Sequence, residues 1–187
     1  MPFALRSRAS TPGESSLIVT ILGATQIRDA LDDFVELLAD AVDDGASLGF
    51  LSPLTTECAR AFWDAIADDV DAGTRVVIAA IENNRIIGTA QLDCETLPNG
   101  RHRAEVQKVI VHRSSRQRGI GSTLMREIES AAEARDRTLL VLDTGRGGVA
   151  EGMYERIGYK RAGSIPGYAA DPSGRLVDSV IYYKTLR

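Results

Sequence analysis

Residues 109–125, VIVHRSSRQRGIGSTLM, run from an apolar strand-like stretch into a helix-like one, with Gly119 and Gly121 at the junction. Glycine weakens strands and helices alike, so its use here asks for a sharp turn or for the close approach of another group. A strand that turns through glycines into a helix leaves the first helical amides unpaired and sets the positive end of the helix dipole at the turn. Such a turn binds phosphates, and Arg116 and Arg118 add charge beside it. The feature therefore joins a strand directly to a helix at a phosphate-binding turn. It is not a nucleoside-triphosphate loop, because GxxxxGK[ST] is absent.

A second glycine cluster competes with the first. Gly145, Gly147 and Ala150 form G-x-G-x-x-A after the apolar run TLLVLDT, with Asp171 further on. A dinucleotide site would need a second parallel strand ending at that acid. Asp171 lies instead within the turn-rich PGYAADPSG, so this reading is rejected.

The rest of the chain reads as alternating elements. LIVTIL is a first strand, and a helix capped by Thr25 carries Ile27, Leu31, Phe34, Leu38 and Val42 on one face before Gly45. A second helix, capped by Thr55 or Thr56 and closed by Gly73, carries Phe62, Trp63, Ile66 and Val70 as core. RVVIAAIE and RIIGTAQLDCE flank Asn83-Asn84 as a hairpin, and AEVQKVIVH follows as a third strand. Ile120, Leu124, Ile128 and Ala131 stripe the next helix. TLLVLDT is a buried strand, GVAEGMYERIG a short helix, and YKRAGSI and SVIYYKTL are closing strands around PGYAADPSGRLVD, read as a long loop. The order is β-α-α-β-β-β-α-β-α-β-β in one domain over 17–187, with residues 1–16 expected to be a flexible tail.

Composition narrows the partners. A net charge of −4 argues against a general nucleic-acid binder. Cys58 and Cys94 have no metal-ligand spacing, and with only His102 and His112 a zinc site is not expected. Both thiols read as buried or semi-buried in a reduced compartment. No run of about 18 apolar residues exists, so no membrane span is expected, and the N-terminal stretch has no apolar core of a secretory signal. The expected location is cytoplasmic.

These residues carry a resemblance. VIVHRSSRQRGIGSTLM resembles the pyrophosphate-binding segment of the GNAT acetyltransferase superfamily, an apolar strand followed by [QR]-x-x-G-x-[GA], supplied here by Arg116, Gly119 and Gly121. Ala150, Tyr154, Gly158 and Tyr159 are similar to that family's A-x-x-x-Y-x-x-x-G-F/Y segment, and the element order matches over about nine-tenths of the chain. AEVQKVIV, LDT, VAE, PGYAADPSGRL and IYYKTL look most like the tabtoxin-resistance branch. The resemblance implies a GNAT α/β (α+β) mixed sheet with splayed central strands and acetyl-CoA as co-substrate. The pyrophosphate would rest on Arg116, Gln117, Arg118, Gly119, Ile120, Gly121 and Ser122, and the pantetheine arm would pair with the strand Val109, Ile110 and Val111. One departure is Gly147, where many relatives carry an asparagine seven residues before the tyrosine.

Acetyl transfer to an amine requires a neutral amine, a stabilised oxyanion and a proton for the departing thiolate. Tyr154 matches the family's general-acid tyrosine, and a phenol ordinarily titrates near 10. Glu105 opens the strand leading to the cofactor, where relatives place a base. Asp143 ends the buried strand where an amine would arrive. The oxyanion donor is expected among the backbone amides of 109–111. His102 and His112 read as solvent-exposed. The acids Asp32, Asp33, Asp40, Asp43 and Asp44 suit either a cationic substrate or a solvated helix face. The expected activity is N-acetylation of a primary amine on a small amino-acid-like, antibiotic or toxin molecule, by a monomer or homodimer. A protein amino group as acceptor, and a cofactor-binding sensor without turnover, are the alternatives.

Overall fold

The computed structural model describes residues 16–187, so the expected N-terminal tail lies outside the described residues. The elements are β1 (Ile18–Leu22), α1 (Ala24–Asp29), α2 (Leu31–Asp43), α3 (Thr56–Asp71), β2 (Arg75–Glu82), β3 (Arg85–Cys94), β4 (Arg103–Val111), α4 (Ile120–Glu133), β5 (Leu139–Gly145), α5 (Val149–Arg156), β6 (Lys160–Ala170) and β7 (Leu176–Thr185). Seven strands form one sheet in the order β1-β2-β3-β4-β5-β7-β6, with β4 and β5 its parallel pair.

Each face of the sheet buries its own core. Ile27, Phe34, Leu38, Trp63 and Ile66 from α1–α3 pack on one face with Val77 and Ala79. Ile120, Leu124 and Ile128 of α4 pack on the other with Val106, Leu140, Leu142 and Tyr154. Alternation along the strands decides which side chain goes to which face.

The hairpin between β2 and β3 turns on Asn83 and Asn84, at φ +52° and +61°, the left-handed pair that a tight hairpin requires. Thr55 caps α3 by accepting from the Cys58 amide. The first helical segment differs from expectation. It starts from Gly23, whose amide donates to Gln26, and breaks at Ala30 into α1 and α2. The apolar face continues across the break, so the periodicity alone concealed it.

The expected long loop after residue 165 is also corrected. β6 runs to Ala170 and β7 begins at Leu176, leaving only 171–175 as the turn. Pro166 and Gly167 sit in an irregular stretch of the ladder between Ile165 and Ala169, where an edge strand tolerates them. Asp171 serves this turn, accepting from Ser173 and Arg175, and β6 is antiparallel to β7. That geometry excludes the dinucleotide reading of Gly145. Cys94 is buried, but Cys58 is exposed on α3, contrary to the expectation for it.

Candidate active site

The parallel pair β4–β5 holds together for only three residues, from Arg103 opposite Leu139 to Glu105 opposite Val141. Beyond that point β4 follows β3 to the Gly88–Val111 pair, and β5 follows β7 to the Gly145–Ser179 pair. A gap opens between them. The cause lies in β4 itself. Ala104 and Val106 face the α4 core, yet so do Val109 and Val111, while Ile110 faces the α1–α3 core. The parity changes at a bulge, where Lys108 takes φ +49° and the β3 register shifts between Thr89 and Gln91.

The bulge decides which backbone groups meet the gap. The His112 amide donates to Ile87 on β3, so by alternation Val109 and Val111 turn their peptide groups away from β3, into the gap. Arg116 reaches back and donates from Nε to the Val111 carbonyl at 3.0 Å.

At the mouth of the gap stands the glycine turn. Gln117 and Gly119 take φ +61° and +78°, and α4 begins at Ile120. Thr123 is the first amide of the helix bonded to a carbonyl, that of Gly119, so Ile120, Gly121 and Ser122 point unpaired amides outward. A side chain built at Gly119 would meet no protein atom within 4 Å, so the turn is open to a ligand. At Gly121 a Cβ would lie 3.0 Å from the Met153 sulfur, so this glycine also lets α5 pack against α4. An anionic diphosphate fits the amide cradle.

The arginines of this turn are already paired. Arg113 donates to the nearly buried Asp40, Arg116 to Asp44, and Arg118 to Glu82 with its closest contact at 2.6 Å. The acids of α2 thus hold the basic turn in place, and Asp32 and Asp33 pair likewise with Arg60 and Arg85. His112 is not simply exposed. Its Nδ1 accepts from the Ser114 amide and lies 2.7 Å from the Ser114 hydroxyl, and its Nε2 lies 3.4 Å from Asp40.

Tyr154 enters from α5, its ring buried at 5% exposure beside Tyr159 and Tyr182. Its hydroxyl makes no hydrogen bond among the described residues. Burial, with the charge of Asp143 added, pushes the phenol well above its usual value. Asp143 lies on the opposite face of β5 from Leu140 and Leu142 and accepts from Ser179 Oγ at 2.6 Å. Tyr154 and Asp143 therefore lie on opposite faces of the sheet, with the Asp143 charge reaching the phenol. Glu105, exposed, stands opposite Asp93 on β3 and lines a cavity of about 510 Å³ with Asp69, Arg75, Asp93 and Val141.

The floor of this cavity was not legible as a site. Arg75, with a side chain only 10% exposed, contacts Asp69, Asp93, Gln91 and Gln107 at 2.7–3.1 Å. Lys108 stands nearby, within electrostatic reach of Glu105, Asp143 and Arg75. The position of Gly147 is explained by Glu151, whose carboxylate accepts from the Gly147 amide and from the Tyr182 hydroxyl. Gly147 itself is left-handed, at φ +79°. Among the described residues no three His, Cys, Asp or Glu are placed to hold a metal, and no helix is long and apolar enough to cross a membrane.

Residues 72–161, which span the gap, the glycine turn and α5, match the model of an acetyltransferase (GNAT) domain. The fold is shared with an N-acetyltransferase of Staphylococcus aureus at 18% identity and TM-score 0.77, covering 92% of this chain and 100% of that one. It is shared also with an acetyltransferase of Salmonella typhimurium solved with its cofactor acetyl-CoA, at 17% identity and TM-score 0.74, covering 92% and 95%. A phosphinothricin acetyltransferase of Sinorhizobium meliloti in complex with acetyl-CoA aligns at 16% identity and TM-score 0.73, covering 91% and 88%.

Proposed function

We propose that this chain moves an acetyl group from acetyl-CoA directly to a primary amine, on a small amino-acid-like, antibiotic or toxin acceptor of the kind handled by the tabtoxin-resistance branch. The observation that carries this reading is the β4–β5 gap, with an open amide cradle at its mouth, Glu105 and Asp143 on its two strands, and Tyr154 within reach of the Asp143 charge.

In this reading the amides of Gln117 through Ser122 receive the pyrophosphate, and Arg116 and Arg118 share their carboxylate partners with it. Val109 and Val111 offer peptide groups to the pantetheine arm, as an added strand would use them, while Ile110 packs into the core behind. Acetyl-CoA supplies an activated acyl group and a thiolate leaving group. The Tyr154 hydroxyl, without a hydrogen bond among the described residues, donates its proton toward that sulfur. Glu105 or Asp143, directly or through water, takes the proton of the acceptor amine, and an amide of the 109–111 segment faces the developing oxyanion. The acid-rich cavity wall favours an acceptor that arrives as a cation, and the phosphinothricin enzyme among the structural neighbours supports an amino-acid-like one.

The test is thiol release from acetyl-CoA over a panel of small amines, amino acids and peptide N-termini. Amine-dependent release on small acceptors supports the reading. Release on peptides alone would indicate a protein amino-group acceptor. Tight acetyl-CoA binding with no release on any amine would favour a sensor without turnover.

A further inference from the structure

The β4 bulge puts a lysine beside the β4–β5 gap. Lys108 holds a left-handed backbone conformation uncommon for a long side chain. Its ammonium lies 5.6 Å from the centroid of the Phe62 ring on α3, within the range of a cation–π contact. It forms no ion pair among the described residues. The charges that face it are Glu105 from β4 and Asp143 from β5, with the like charge of Arg75 from β2. Arg75 is itself committed to Asp69 and Asp93. A half-buried cation with no direct counter-ion is costly, and strained backbone that carries one beside a cleft marks a functional position.

We propose that Lys108 poises the acceptor amine: its ammonium, fixed at the bulge beside the β4–β5 gap, disfavours the protonated form of the amine that enters there, so that a neighbouring carboxylate can take the amine's proton near neutral pH. The inference rests on the acetyl-transfer reading and adds a residue to it. In the step, the amine's N–H bond breaks and its electron pair stays on nitrogen. The proton passes to a carboxylate oxygen of Glu105 or Asp143, directly or through water. Lys108 is unchanged. Burial, helped by Arg75, holds its own ammonium below the usual lysine value, while Asp143 and Glu105 oppose that shift. An incoming ammonium meets the same surroundings with the Lys108 charge added, and like charges at close range disfavour protonation.

The test is the pH dependence of kcat at saturating acetyl-CoA and amine, from about pH 5 to 10, for an acceptor that the wild-type protein acetylates, because kcat reports groups in the bound complex. Lys108→Arg keeps the charge, while Lys108→Met and Lys108→Gln remove it, and two neutral variants guard against a folding defect in one. Met and Gln are expected to move the acid limb of kcat up by roughly one pH unit, lowering kcat about tenfold on that limb. The KM for the amine should not rise, since a repelling charge has been removed, and Arg should follow the wild type. Acid limbs of Met and Gln that superimpose on the wild type overturn the proposal, as does an Arg limb displaced as far as theirs. A wild-type protein that binds acetyl-CoA but acetylates no amine would fail at the earlier reading, and this inference would fall with it.

Discussion

Ser179 on β7 donates its hydroxyl to Asp143 on β5 at 2.6 Å, while the charge of the same carboxylate reaches Tyr154 on the far side of the sheet. One side chain thus joins the β5–β7 ladder, the gap and the candidate acid. Asp143→Asn keeps the shape and removes the charge. It should lower kcat by roughly a hundredfold if Asp143 receives the proton. Ser179→Ala leaves the charge and removes one hydrogen bond. It should cost about 1 kcal/mol of stability and only a few-fold in rate. Steady-state rates and urea melts of both variants check this ordering, and equal rate losses would refute it.

Tyr154→Phe tests the acid. The hydroxyl has no hydrogen-bond partner among the described residues, so the melting temperature should hardly change, while kcat should fall roughly ten- to a thousandfold. A phenol at its ordinary pKa would give an alkaline limb near pH 10. Burial and Asp143 raise Tyr154 well beyond that, so rates up to about pH 10 should show no phenol limb. A wild-type decline near pH 10 that vanishes in Tyr154→Phe would contradict the burial argument.

Stability should respond to alkali instead. Burial raises Tyr154 and Tyr159 far above the usual phenol value, and burial with the Glu151 and Glu155 bonds pushes Tyr182 up to about 12. Groups with a raised folded-state pKa stabilise below the unfolded value and lose that contribution as pH climbs through the folded value. The unfolding free energy should therefore be flat with respect to these phenols up to about pH 9 and fall above about pH 10. Urea melts at stepped pH, with Tyr182→Phe as the comparison, measure the slope. A variant as alkali-sensitive as the wild type would remove Tyr182 from the account.

Gly119 isolates the phosphate site better than Gly121. A Cβ at Gly121 meets Met153, so its replacement disturbs α5 packing as well as any ligand. A Cβ at Gly119 meets no protein atom, and the cost to the fold is the left-handed backbone, about 1–2 kcal/mol for alanine. Gly119→Ala should therefore keep the fold while weakening acetyl-CoA binding at least tenfold by calorimetry. Affinity within twofold of the wild type would move the pyrophosphate elsewhere.

The sequence made much of this layout legible, for identifiable reasons. Asn83-Asn84 announced its hairpin because few residues accept two successive left-handed angles. The glycines at 119 and 121 announced the turn because no strand or helix favours them there. The break at Ala30 was hidden because α1 and α2 keep one apolar face. The β6–β7 turn was overread as loop because Pro166, Gly167 and Gly174 signal turns, yet an exposed edge strand accommodates the first two. The bulge was in principle visible, since the apolar positions 104 and 106 change parity at 109. Nothing local, however, announces a left-handed lysine. The pairing of Asp40 and Asp44 with Arg113 and Arg116 spans about seventy residues of chain, beyond any sequence pattern.

The central claim is direct transfer of an acetyl group to an amine, and the label of carbon-13 acetyl-CoA follows that group itself. The protein is incubated with labelled cofactor and the small-amine panel, and both protein and small molecules are weighed by mass spectrometry. The account predicts one labelled acetyl group on the amine, in step with free thiol, and an unlabelled protein. Label that stays on the cofactor while acetyl-CoA binds tightly, or that accumulates on the protein before any amine carries it, would contradict it.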